Sequence, residues 1–255
     1  MYRLLRLVAH LGAGIATTTL VFPRVAPPQR KALIRRWSAR LLAILRVEAR
    51  VSGWPAGGLP DNLLIVANHV SWLDIFVLDA VQPARFVGKS ELRRWPLAGR
   101  LVADCGTLFI ERGRRRDAHR INEHARAALA AGDVIAIFPE GTTTDGTALL
   151  PFHGSLLQPV IDARGHVQPV AIRYRGHDGA HKDAPAYVGE TSFFASLWRV
   201  LGERTMIVWV DLAPPLPAHG RHRRDLARDA EAAIRRVLAP AAISPAPETG
   251  GDRRA

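Results

Sequence analysis

The stretch Leu63-Leu64-Ile65-Val66-Ala67-Asn68-His69-Val70-Ser71-Trp72-Leu73-Asp74 decides how the rest of the chain is read. Its five leading apolar residues fit a short buried strand. The run ends on Asn68-His69, and an aspartate follows the histidine five positions on. Five residues of regular helix turn through ~500°, which would set the two side chains ~140° apart. His69 and Asp74 therefore meet only if the histidine sits on the turn after the strand and the aspartate on the first turn of a following helix. An aspartate on Nδ1 fixes the imidazole tautomer and stabilises the imidazolium, leaving Nε2 to accept a hydroxyl proton. This is the His–Asp part of a serine-protease triad without the enzyme's own nucleophile, a part that a substrate hydroxyl can play. Taken alone, the spacing favours a capping aspartate beside a surface histidine over a catalytic pair.

Outward from this stretch, short apolar runs alternate with helical ones. Leu63–Ala67, Arg85–Val87, Thr107–Ile110, Val134–Phe138, Val167–Arg173 and Met206–Val210 read as strands, and Ile75–Ala80, Pro96–Asp104, Ala118–Ala131, Leu156–Ile161 and Arg221–Leu238 as helices. The alternation predicts an α/β fold: a mixed, mostly parallel sheet flanked by helices. Its length of 255 residues suits one such domain with a sizeable core. No internal repeat is present, and the Pro-, Gly- and Ala-rich tail from Ala241 to Ala255 reads as disordered.

Composition narrows the partners. With 48% hydrophobic residues the chain is globular or membrane-associated rather than disordered. Its single cysteine, Cys105, forms no internal disulfide, which fits a reducing compartment. The net charge of +12 points to an acidic partner, whether nucleic acid, anionic lipid, or an acidic carrier or cofactor. Zinc-finger spacing and RNP-like motifs are both missing, which sets nucleic acid behind the others.

The N-terminus adds a membrane signal. The uncharged run from Leu7 to Phe22 would extend ~24 Å as a helix, against a bilayer core of ~30 Å. With Arg3 and Arg6 snorkelling, Met1 to Phe22 would just span; lying shallow or re-entering are the other options. A signal peptide is the rival reading, but no small-x-small cleavage site follows and a basic run does. Gln29 to Val47 reads as a second helix, with Leu33, Ile34, Trp37, Leu41, Ile44 and Leu45 at helical spacing and Arg30, Arg35, Arg36 and Arg40 supplying charge. That pattern suits a membrane interface and a helix packed on the domain equally well.

Further motifs stand at strand ends. Gly106-Thr107-Leu108-Phe109-Ile110-Glu111-Arg112 closes a strand on an arginine, and guanidinium forks bind phosphate oxygens bidentately. Phe138-Pro139-Glu140-Gly141-Thr142-Thr143-Thr144 ends another on a turn where glycine permits close approach of a ligand and the threonines suit a cap or an anion. Glu140 there would meet a basic partner such as Arg112, or hydrogen-bond an acceptor.

Together with a late Pro169-Val170, these motifs resemble those of the glycerolipid acyltransferases, the lysophosphatidate acyltransferases and their relatives. The match is Asn-His-x-Ser-x-x-Asp at Asn68–Asp74, Gly-x-x-Phe-Ile-x-Arg at Gly106–Arg112, Phe-Pro-Glu-Gly-Thr at Phe138–Thr142, and the Pro-Val pair. It covers roughly Leu63 to Tyr174. The resemblance implies that His69 is the general base and Asp74 its orienting partner. The freed alkoxide would attack an acyl thioester and release coenzyme A or acyl carrier protein. It further implies that Arg112, with Gly106 and Phe109, holds the acceptor's phosphate or polar head, that Glu140, Gly141 and Thr142 shape the acceptor site, and that Pro169 supports a pocket.

No cofactor or metal is implied beyond acyl-CoA or acyl-ACP as co-substrate. The implied setting is the bacterial inner membrane, with the site on its cytoplasmic side and membrane lipids and a lysophospholipid acceptor as partners. The corresponding division is 1–50 for membrane-associating helices, 51–240 for the acyltransferase domain and 241–255 for the tail. Many lysophosphatidate-using members carry arginine directly after Phe-Pro-Glu-Gly-Thr, where this chain has Thr143. The expected acceptor is 1-acyl-sn-glycerol 3-phosphate, with lyso-ornithine lipid or another lysolipid as the alternative. A basic membrane-binding protein with a decayed site is the non-enzyme alternative.

Overall fold

The computed structural model describes residues 2–90, 93, 98–110 and 115–239, with only the backbone described at 89, 98 and 115–119. Arg112 and the tail from Ala241 lie outside the described residues. The strands are β1 (Val47–Ser52), β2 (Leu63–Ala67), β3 (Arg85–Lys89), β4 (Leu108–Ile110), β5 (Ile135–Ile137), β6 (His166–Arg175), β7 (Met206–Leu212) and β8 (Leu216–Pro217). The helices are α1 (Tyr2–Ala16), α2 (Pro27–Leu45), α3 (Leu73–Val81), α4 (Ala98–Asp104), α5 (Arg115–Ala130), α6 (Gln158–Asp162), α7 (Phe193–Gly202) and α8 (Arg223–Leu238).

The sheet runs β1-β7-β6-β2-β5-β3-β4, with β8 paired to β6. β6, β2, β5, β3 and β4 are mutually parallel, while β7 runs against β6 and carries β1 parallel to itself. This is the mixed, mostly parallel sheet that the alternation predicts. β2 is buried along its whole length, as a central parallel strand must be. Its alternate residues feed two cores. Leu63, Ile65 and Ala67 meet α1, α2, α3 and α7 through Leu7, Leu41, Leu45, Leu73, Val77 and Val200. Leu64 and Val66 meet α5, α6 and α8 through Leu129, Val160, Leu226 and Ile234.

Two elements depart from the sequence reading. Val47 opens β1 instead of ending the second helix: α2 stops at Arg46, whose φ of 58° is left-handed. The expected boundary between residues 50 and 51 thus falls inside a strand bonded to β7. α7 was not expected: it is a ten-residue, mostly apolar stretch, too short to be told from a buried strand by its composition. The apolar N-terminal segment is helical from Tyr2 to Arg24, passing through a π turn (Thr17–Val21) and a 3-10 turn (Phe22–Arg24), and is long and apolar enough to cross a membrane. One stripe of it, Leu7, His10, Gly14, Thr18 and Phe22, is turned onto the protein. At Gly14 a Cβ would come within 2.6 Å of Trp37 Nε1, so glycine lets α1 and α2 approach closely.

α2 is fully committed to the domain core. Leu45→Ala, at a side chain with 0% exposure, is expected to lower unfolding free energy by about 2–5 kcal/mol, measured by denaturant titration of the full chain.

Candidate active site

The turn between β2 and α3 is held by side chains from three other segments. Asn68 acts as an extra ladder rung: its Oδ1 accepts from Ile172 N at 2.7 Å and its Nδ2 donates to Ile172 O at 3.0 Å, fastening the end of β2 to β6. His69 follows on the turn and Asp74 stands in the first turn of α3. The two meet, with His69 Nδ1 2.8 Å from Asp74 Oδ2. The same oxygen accepts Val70 N at 2.7 Å and Ser71 N at 2.9 Å. A carboxylate in this position accepts, so Nδ1 carries the ring proton and Nε2 presents its lone pair on the far edge. Asp74 is 0% exposed at its side chain and His69 19%, so of the pair only the imidazole reaches the surroundings.

The loop after β5 grips the same turn. Phe138 lies flat under the imidazole, ring centroids 3.9 Å apart at 9°. Glu140 Oε1 accepts His69 N at 2.7 Å, and Thr144 N donates to His69 O at 2.8 Å. Both backbone groups of the histidine are thereby fixed from one loop. Glu140 Oε2 accepts Leu150 N at 2.9 Å, closing the loop on itself. Each of its oxygens thus serves a backbone N–H, and Arg112 lies outside the described residues. Burial pushes the Glu140 carboxyl up, opposed by these two hydrogen bonds. Gly141 turns the chain at φ +73°, donating its N–H to Phe138 O at 3.1 Å, and Thr142 is exposed. Thr143 donates its hydroxyl to Tyr187 O, and Tyr187 N donates to Val70 O at 3.0 Å, so this threonine helps to fasten a further segment over the turn.

Tyr174 completes the site and carries no motif signal. From β6 its hydroxyl donates to Asp74 Oδ1 at 2.7 Å, across 100 positions of sequence, and the side chain is fully buried. Burial, then the Asp74 charge, push its phenol well above the ordinary tyrosine range, so it stays a donor.

The other sequence candidates are placed farther along. β2, β5, β3 and β4 are parallel neighbours, so the residues after them gather along one rim of the sheet, where open α/β folds place ligands. β4 is three strand spacings from β2, about 14 Å. Gly106 precedes β4 and so lies at the opposite rim from His69: at φ +84° it presents its carbonyl to Arg85 Nε at 3.0 Å, at the start of β3, and a Cβ there would press on the same guanidinium. Phe109 is half-buried with the Arg93 guanidinium 5.3 Å from its ring centroid. Pro169 is buried within β6 in register with Val66, and its carbonyl accepts Ala213 N. Among the described residues, no group of three or more His, Cys, Asp or Glu side chains is arranged to hold a metal.

Known proteins resemble this chain in sequence and in fold. Residues 56–173 match the family model described as Acyltransferase. A lyso-ornithine lipid O-acyltransferase of Pseudomonas aeruginosa is 44% identical over 92% of this chain and 91% of its own length. A 1-acyl-sn-glycerol-3-phosphate acyltransferase of Neisseria meningitidis is 36% identical over 84% of this chain and 83% of its own. The crystal structure of the 1-acyl-sn-glycerophosphate acyltransferase PlsC from Thermotoga maritima shares the fold, with a TM-score of 0.62 at 21% identity over 92% of this chain and 96% of that one. Likeness of this extent, over chains of matching length, makes the protein a member of the acyltransferase family and an O-acyltransferase.

Proposed function

We propose that the protein moves a fatty acyl group from a thioester donor, acyl-CoA or acyl carrier protein, to the free hydroxyl of a lysolipid in the membrane, with 1-acyl-sn-glycerol 3-phosphate as acceptor and phosphatidate as product. The observation that carries the chemistry is the His69–Asp74 pair, fixed in place with only the imidazole of the two accessible. His69 Nε2 takes the acceptor's hydroxyl proton as its oxygen attacks the thioester carbonyl carbon. The tetrahedral intermediate collapses with loss of the C–S bond, and the imidazolium returns its proton to the departing thiolate. Direct transfer is favoured over an acyl-enzyme because the neighbouring hydroxyl is engaged: Ser71 is fully buried and its Oγ accepts Leu73 N. Cys105 does not suit the part either, since burial pushes its thiol up to about 12.

The net charge of +12 supports a phosphate-bearing acceptor and an acidic donor. Arg112, which the family motif assigns to the acceptor head, lies outside the described residues. Lyso-ornithine lipid is the second acceptor reading. It is favoured by the 44% identical relative and by Thr143, which binds Tyr187 O where many phosphate-using members have arginine. The exposed apolar side of α1, with Leu5 at 63% and Val8 at 60%, supports attachment to the inner membrane, lying along the surface because its other side is docked on the protein. The basic residues of α2 favour the cytoplasmic side.

A panel of lysolipids given one labelled acyl donor, read by product mass, tests the acceptor. Phosphatidate as the major product supports the first reading, acylated ornithine lipid the second, and no ester from any acceptor refutes both. His69→Ala is expected to lower kcat by about 10²–10⁴ with folding intact; unchanged turnover in purified membranes would remove the base assignment. Tyr174→Phe leaves Asp74 Oδ1 without its donor, so the carboxylate draws harder on the imidazolium proton. The low-pH limb of kcat/KM should then move to higher pH by up to about one unit, with kcat down about tenfold. A lower melting temperature with an unmoved limb would make Tyr174 structural only.

A further inference from the structure

α7 wears its side chains inside out. Ser196 and Val200 are fully buried, whereas Phe194 and Trp198, one turn apart, are 78% and 70% exposed. A helix bathed in water has the reverse preference, serine outward and tryptophan inward. The buried hydroxyl is accounted for, since Ser196 Oγ accepts Trp72 Nε1 at 3.0 Å. The helix has one charged residue, Arg199, and its guanidinium is tied to Ala186 O at 2.7 Å. What faces outward is therefore a pair of large aromatic side chains with no acid or amide among them.

Two observations say what covers this face. The end of α7 abuts the start of α1, where Arg3 Nη1 donates to Leu201 O at 2.9 Å and to Glu203 O at 2.7 Å. α1 is the apolar helix whose outward side bears exposed Tyr2, Leu5 and Val8, with Leu20 exposed on the π turn that follows it. The two helices are also joined at their other ends by a chain of ring contacts, from His10 through Trp37, Phe76, Trp72 and Phe193 to Phe194, each link between 4.7 and 6.1 Å. Trp72 in that chain belongs to the catalytic turn. The apolar exposure of α7 thus continues that of α1, past the residues that carry the base.

We propose that α7 is a second membrane-contact element, with Phe194 and Trp198 seated in the interfacial region of a lipid bilayer beside α1. This rests on the reading of α1 as membrane-attached. Indole and phenyl rings suit the headgroup level, where an apolar body meets a polar boundary. Docked there, α7 brings the β2–α3 turn to the lipid surface, so an acceptor reaches His69 by lateral diffusion without leaving the membrane.

The full chain, mixed with phosphatidylethanolamine–phosphatidylglycerol vesicles whose acyl chains carry bromine, tests this. Trp198 emission is isolated as the difference between wild type and Trp198→Phe. Quenching of that difference signal is expected. Protein that sediments with vesicles while Trp198 stays unquenched overturns the role of α7 and leaves α1 attachment standing. Protein that stays in solution overturns both.

Kinetics supply a second readout. The Phe194→Ser, Trp198→Ser double variant should lose at least about tenfold in rate on a vesicle-borne acceptor. On a short-chain acceptor dispersed as monomers it should stay within about twofold. Equal losses on both acceptors, or a dimer that the variant dissociates, would overturn the proposal in favour of a structural face or a second copy of the chain.

Discussion

Asp74 is a buried carboxylate to which the rest of the site is fitted. Removing such a charge from water costs several kcal/mol unless its lone pairs are filled. Here they are filled from two directions. Val70 N, Ser71 N and His69 Nδ1 converge on Oδ2, and the Tyr174 hydroxyl takes Oδ1. The first three donors belong to the turn before α3, so satisfying the carboxylate is the same act as shaping that turn. The fourth belongs to β6, so it also joins the helix to the sheet. Asp79, on the same helix and nearly as buried, shows the other outcome: it accepts Ala84 N, burial dominates, and its carboxyl is pushed up to about 8.

The sheet turns this local arrangement into a site. Parallel strands deliver their following residues to one rim, and β5 lies directly beside β2. The loop after β5 therefore reaches the turn after β2 without a long connection, and Glu140 and Thr144 hold His69 by its N–H and C=O. The helices on that face of the sheet, α1, α2, α3 and α7, share one core with Tyr174 and Leu73. His69 thus lies on the side of the sheet where α1 and α7 leave apolar residues outward.

The legibility of these parts in the sequence follows from the range of the forces that set them. β2 and the first turn of α3 could be read because an unbroken apolar run and a five-residue spacing are local signals. β1 could not, because Val47-Glu48-Ala49-Arg50-Val51-Ser52 is a mostly exposed edge strand adjoining a helix of similar composition. α7 was missed because a ten-residue, mostly apolar stretch is ambiguous between helix and strand. Tyr174 was invisible because only the pairing of β6 with β2 brings it to Asp74. Glu140 was legible as important but not in its manner of acting, since its partners are backbone groups and every residue has those.

That last point bears on how the motif after β5 works. Glu140 spends both oxygens on N–H groups and Thr143 its hydroxyl on Tyr187 O. These contacts anchor Glu140 and Thr143 within the protein. Phe138 presents a flat ring to the imidazole and has no group to offer a substrate head. The segment holds the ring plane and backbone of His69 against motion. A nucleophile supplied by the enzyme travels with its base and tolerates small shifts, whereas one brought by a diffusing lipid must find the base already aligned. The base proposed for an O-acyltransferase whose hydroxyl comes with its acceptor gains from being immobile, and the hydrogen bonds around residue 69 supply that rigidity.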